Sequence, residues 1–131
     1  MNHPKMILYA DDDIDDKTWI NEACKKINSS LNFKFLESGK EVMKFLQNIM
    51  DGNYPSLIVL DMNMPALDGK QTLKLLKSEP AYKHIPVAIL TSSSSKLDIE
   101  VCKKLGASLF LIKPDTQAEW QQVIRQLETF S

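Results

Sequence analysis

The stretch LIVLDMNMP, residues 57–65, runs four consecutive aliphatic side chains straight into a single carboxylate, Asp61. A continuous apolar run with no polar alternation fits a strand covered on both faces, since a strand with one wet face would alternate. VAIL at 87–90 reads the same way. MILYA (6–10), FKFL (33–36) and SLFLI (108–112) supply three further strands. Asp61 therefore ends the most apolar strand of the chain. Taken alone, it reads either as a helix-capping residue or as a nucleophile.

Between these runs the period changes from two to that of a helix. Ile20, Ala23, Cys24 and Ile27 fall at i, i+3, i+4 and i+7, as do Val42, Phe45, Leu46 and Ile49, and Trp120, Val123, Ile124 and Leu127. Each set makes one apolar stripe. Leu73 with Leu76 marks another helix, and Leu97, Val101 and Leu105 a weaker one. Ser38 with Glu41, and Thr116 with Glu119, have capping-box spacing. Gly52, Gly69 and Gly106 sit at breaks, and Pro55, Pro86 and Pro114 flank strands. Five strands each followed by a helix predict a parallel sheet with helices on both sides, and right-handed crossovers make it a doubly wound α/β fold. Ligands of such a fold bind beyond the carboxyl ends of the strands.

Composition narrows the function classes. The 131 residues suit one domain, 1–131, with no sign of a linker or an output domain. The net charge of −1 gives no general attraction to nucleic acid or anionic lipid. Cys24 and Cys102 have neither disulfide nor metal-ligand spacing and read as small apolar residues in a reducing, cytoplasmic setting. His3 and His84 are lone histidines. No apolar run approaches ~18 residues, so no membrane helix is expected.

The strand ends carry the chemistry. ILYADDDIDD (7–16) places Asp11, Asp12 and Asp13 at the end of the first strand, where carboxylates repel one another unless something positive is near. Asp13, Asp15 and Asp16 also suit a helix N-terminus. Asp11, Asp12 and Asp61 make a hard-cation set, fitted to Mg²⁺ rather than Zn²⁺ because no His or Cys accompanies them. Thr91 ends the fourth strand and Lys113 the fifth, adding a hydroxyl and a long cation at the same edge. The set describes a phosphoryl-acceptor site: a metal-neutralised carboxylate for in-line attack, with a lysine and a hydroxyl for the equatorial oxygens.

In the pieces ADDD, LIVLDMNMPALDG, IPVAILTSS and LFLIKP, in that order, the chain resembles the receiver domains of bacterial two-component response regulators, of the stand-alone type. The resemblance implies a flavodoxin-like (βα)5 fold with strand order 2-1-3-4-5. It implies that Asp61 accepts the phosphoryl group, and that Asp12 and Asp61 bind Mg²⁺ or Mn²⁺ with the Asn63 backbone carbonyl, while Asp11 acts through water. Thr91 and Lys113 would contact the phosphoryl group and Phe110 would be the aromatic switch. A cis bond at Lys113–Pro114 is also implied. A histidine kinase or phosphotransfer protein would be the donor and another protein the target, with neither DNA nor membrane bound directly. Oligomeric state stays open, and no multiple-turnover enzyme activity is expected.

Three other readings compete. An aspartyl phosphatase of the haloacid-dehalogenase type would place D-x-D after the first strand, whereas here D-x-N follows the third. A flavin or nucleotide binder would need a phosphate-cradling loop where Asp11 to Asp13 stand. A binding module that has lost phosphorylation would not need the complete acid, threonine and lysine set.

Overall fold

The computed structural model describes residues 6–50, 53–64, 67–92 and 95–130. His3, Gly52, Pro65 and the middle of the 92–95 serine run, all used above, lie outside the described residues. Strands and helices alternate in the order β1 (Met6–Ala10), α1 (Ile14–Lys26), β2 (Asn32–Leu36), α2 (Gly39–Gln47), β3 (Leu57–Leu60), α3 (Gly69–Ser78), β4 (Val87–Thr91), α4 (Lys96–Lys104), β5 (Leu109–Ile112) and α5 (Gln117–Glu128). The strands pair in parallel as β2-β1-β3-β4-β5. Strand order reverses between β1 and β3, so a crevice opens above their carboxyl ends.

Every residue of β3 and β4 is buried, and only Met6 of β1 is partly open. This is the two-sided covering that the unbroken apolar runs require. Alternate side chains go to opposite faces. Leu8, Ala10, Ile58, Leu60, Val87 and Ile89 meet Val42 and Leu46 of α2, Leu73 and Leu76 of α3, and Cys102 of α4. Ile7, Tyr9, Leu57, Val59, Ala88 and Leu90 meet Ile20 and Ala23 of α1 and the Trp120–Leu127 stripe of α5. The edge strands β2 and β5 are only half-buried.

Each helix has a polar N-cap, Asp13, Ser38, Asp68, Ser95 and Thr116, whose side chain accepts an amide two or three residues on. Such caps are typically worth ~1 kcal/mol. The reciprocal capping box forms at Asp68 and Gln71, not at the two pairs whose spacing suggested it. Glu41 instead accepts the Glu37 amide, and Glu119 accepts the Thr116 hydroxyl. Helix α4 ends as its glycine demands: Gly106 takes φ +103, with its N–H on Lys103 and that of Ala107 on Cys102. The apolar stripes overran three helices, since Ile27, Ile49 and Leu105 lie past the ends of α1, α2 and α4. Cys24 is half-buried rather than buried.

Candidate functional site

Sheet register positions the site residues. The Asp11 amide donates to the Leu36 carbonyl at 2.9 Å, Asp61 to Ala10 at 3.0 Å and Lys113 to Thr91 at 2.7 Å, so hydrogen bonding continues one residue past each strand. Thr91 is the last residue of β4 and fully buried. The chain then turns sharply after β3. Gly69 lies so close that a Cβ there would strike the Asp61 carbonyl, and its amide donates to Met62 at 3.2 Å. That contact fixes the start of α3 against the loop carrying Asp61.

Lys113 sits at the centre of the acids. Its Nζ lies 2.7 Å from Asp11 Oδ2, 2.6 Å from Asp16 Oδ2 and 3.2 Å from Asp61 Oδ2. Asp11 Oδ1 accepts the Asp13 amide at 3.1 Å, and its Oδ2 also accepts the Tyr9 hydroxyl at 3.3 Å. Asp61 Oδ1 accepts the Asn63 amide at 3.2 Å. Asp12 is exposed. Asp11, Asp12 and Asp61 each bring one carboxylate oxygen within 4.8 Å of the others.

Crowding shifts the protonation equilibria. Burial, then the charge of Asp11, pushes the Asp61 carboxyl up, against the opposing pull of Lys113. Burial, then a hydrogen bond shared with Asp11, pushes Asp16 up to about 7. Burial also disfavours charge on Asp11, but hydrogen bonds from Asp16, Lys113 and the Asp13 amide outweigh it and lower its pKa. Burial opposes the Lys113 ammonium, yet its bonds to Asp11 and Asp16 hold it charged. Tyr9 is raised by burial and by Asp11, and remains a neutral donor.

These donors fit a divalent hard cation. They are all oxygens, no His or Cys among the described residues joins the group, and the repulsion among them is only partly offset by one ammonium. The oxygens of Asp11 already serve Asp13, Tyr9 and Lys113, whereas Asp12 is open to solvent. This suits a direct ligand role for Asp12 and a water-mediated one for Asp11. Beside the acids lies a cavity of about 260 Å³ lined by Tyr9, Asp12, Lys17, Phe35 and Glu37 among others.

One expectation needs correction, and one residue takes a further role. The Lys113–Pro114 bond is trans; with it trans, the lysine amide still reaches Thr91 and Nζ still reaches the acids. Asp16 is not merely an acid favouring the N-terminus of α1. It is buried and paired with Lys113. The signal was available: Asp16 precedes Ile20 by four and Ala23 by seven, so it lies on the apolar stripe of its helix. Phe110 is half-buried against the core cluster of α2, α3 and α4. It borders a groove of about 280 Å³ with Ile99, Lys103, Ala107, Ser108 and Leu109.

A 2-1-3-4-5 parallel sheet whose strand ends gather acids, a threonine and a lysine defines a receiver-type protein. Comparison with known proteins gives the same answer: residues 7–125 match the response regulator receiver domain. The chain belongs to that family, the receivers of two-component signalling. It is 31% identical to response regulator Rcp1 of Synechocystis sp., over 98% of this chain and 90% of Rcp1. The Mn²⁺-bound crystal structure of Rcp1 aligns with a TM-score of 0.83 at 30% identity, covering 97% and 94% of the two chains. The phosphorylated cyanobacterial phytochrome response regulator RcpA aligns at 0.85, with 28% identity and 98% and 94% coverage. Response regulator RPA3017, in red light signalling of R. palustris, aligns at 0.86, with 28% identity and 97% and 93% coverage. Phosphorylation by histidine kinases and binding of Mg²⁺ or Mn²⁺ at an acidic pocket are general properties of this family. No helix among the described residues is long and apolar enough to cross a membrane.

Proposed function

We propose that Asp61 is the phosphoryl acceptor of this receiver, in a Mg²⁺-dependent reaction. The observation that carries this is the convergence, on one edge of the sheet, of Asp61 with the oxygens of Asp11 and Asp12 and with the Lys113 ammonium. A carboxylate oxygen of Asp61 attacks phosphorus in line, the bond from phosphorus to the donor's leaving group breaks, and an aspartyl phosphate results. Lys113 turns from Asp11 and Asp61 to meet an equatorial oxygen, and Thr91, one strand away, supplies its hydroxyl. Asp12 and Asp61, with the Asn63 carbonyl, would hold the Mg²⁺ and Asp11 would reach it through water; the ion supplies charge neutralisation. Asp61 is consumed and regenerated on the protein itself, so the chain is not an enzyme acting on a separate substrate.

The output is a change of protein contact. Phosphorylation biases two arrangements of the Thr91 loop and Phe110, and the groove between α4 and β5 beside that ring is the surface that changes. The ring offers a partner only apolar contact. The likeness to RcpA and RPA3017 supports a phytochrome-class histidine kinase, or a phosphotransfer protein serving one, as the donor.

Intact-mass measurement with acetyl phosphate tests the acceptor. Wild type should gain one phosphoryl group only with Mg²⁺, and Asp61→Asn none. Equal labelling of both proteins would remove Asp61 from the role. A phosphotransfer profile against candidate kinases tests the donor, and preference for kinases without a light sensor would overturn that part.

A further inference from the structure

Asp16 has no part in the chemistry above, yet the fold spends a buried carboxylate on it. It stands in the first turn of α1, 7% exposed, with Oδ2 2.6 Å from Lys113 Nζ. The two groups form an ion pair largely shielded from solvent. A macrodipole role does not account for it. Asp15, exposed in the same turn, can serve the dipole from solvent, whereas a buried carboxylate is costly unless paired.

Lys113 thus has carboxylate neighbours on three elements. Asp11 and Asp61 belong to the group of oxygens that a divalent cation would draw on, and Asp61 is also the nucleophile. Asp16 is outside that group. When cation and phosphoryl group occupy the site, two counter-charges are withdrawn from the lysine and Asp16 remains. The distances also lean its way: Nζ is 2.6 Å from Asp16 and 3.2 Å from Asp61.

We propose that Asp16 is the positioning residue for Lys113: fixed on α1, its carboxylate holds the ammonium at the rim of the site and draws it off the attacking oxygen of Asp61. The inference rests on Asp61 being the acceptor. Without Asp16 the lysine closes on Asp61 in the resting protein and loses its place once Mg²⁺ is bound.

The test is a double-mutant cycle at pH 8 and saturating Mg²⁺, reading the rate of labelling by acetyl phosphate. Asp16→Asn, nearly isosteric, should slow labelling about tenfold in wild type. In a Lys113→Ala background the same change should alter the rate about twofold or less, because Asp16 acts through the lysine. A second readout needs no phosphorylation: limited acetylation of amines, read by peptide mass. Asp16→Asn should raise the reactivity of Lys113 about threefold or more relative to the other lysines, as its ammonium loses a counter-charge. Equal slowing in both backgrounds, or unchanged Lys113 reactivity, overturns the proposal. If Lys113→Ala labels too slowly to time, the acetylation result decides alone. Absence of labelling in wild type would instead sink the acceptor reading.

Discussion

Replacing Asp61 by Asn should stabilise the protein while abolishing its phosphorylation. Asn keeps the shape and an acceptor for the Asn63 amide, but removes one negative charge from the cluster. The oxygens of Asp11 and Asp12 lie within 4.8 Å, so at an effective dielectric constant of about 20 each repels Asp61 by roughly 3.5 kcal/mol. Lys113 at 3.2 Å returns roughly 5 kcal/mol on the same scale. The balance is about 2 kcal/mol against the charge, and burial adds to it. Asp12 is exposed, and solvent screening brings the expected gain to roughly 1–2 kcal/mol. For a chain of this length that is a rise of about 3–6 °C in Tm without divalent ions. Denaturant unfolding in EDTA, with wild type and Asp61→Asn side by side, measures it. Mg²⁺ should then narrow the gap, because the ion binds the wild-type native state better. The reasoning fails if Asp61→Asn is destabilised by about 1 kcal/mol or more in EDTA, since Asp61 would then be a structural cap rather than a carboxylate held under strain.

Lys113→Ala should lower stability by about 2–4 kcal/mol in EDTA, because it leaves buried acids without a counter-charge, and Mg²⁺ should restore much of the loss in a thermal scan. Gly69→Ala would drive a methyl group into the Asp61 carbonyl; an expected cost of about 1–3 kcal/mol should come with slowed acetyl phosphate labelling, since the loop bearing the acceptor must shift. The pH dependence in EDTA has a definite sign. Asp16 is raised to about 7, so between about pH 4 and 7 the native state keeps a proton that the unfolded chain has lost. Stability from this group therefore falls as pH rises through that window and is level above it. Asp11, lowered, works oppositely: its contribution is present above its unfolded pKa and is lost as pH falls through the folded one. Urea unfolding of Asp16→Asn across pH 4–8 should show a smaller decline than wild type.

Much of the fold was legible because the strands are simple. LIVL and VAIL admit no other arrangement than burial on both faces, and five such runs alternating with helical stripes leave little but a doubly wound sheet. Element ends were less legible. Ile27 and Ile49 are apolar at the right spacing, yet chain reversal rather than periodicity ended those helices, with Asn28 taking φ +52. The capping box at Asp68 and Gln71 is less legible because its N-cap is an aspartate, whereas the usual spacing signature has Ser or Thr there.

The acids, Thr91 and Lys113 were found because strand ends must share an edge, which is a consequence of topology rather than of side-chain packing. The sequence leaves the role of Asp16 open, since Asp13, Asp15 and Asp16 all suit a helix N-terminus, yet Asp13 and Asp15 face solvent and Asp16 is buried. Composition cannot separate three aspartates in one short run, whereas the direction each takes from α1 can.

The sequence by itself determined the five strands, their covering helices and the edge where carboxylates, threonine and lysine meet, since the period of each apolar run depends only on local residue pattern and parallel strands bring their carboxyl ends to one side. The tertiary structure alone decided which acids Lys113 touches, and that Asp16 is among them. Coulombic partnership depends on distances between elements 97 residues apart in the chain, from Asp16 to Lys113, and no local pattern encodes those.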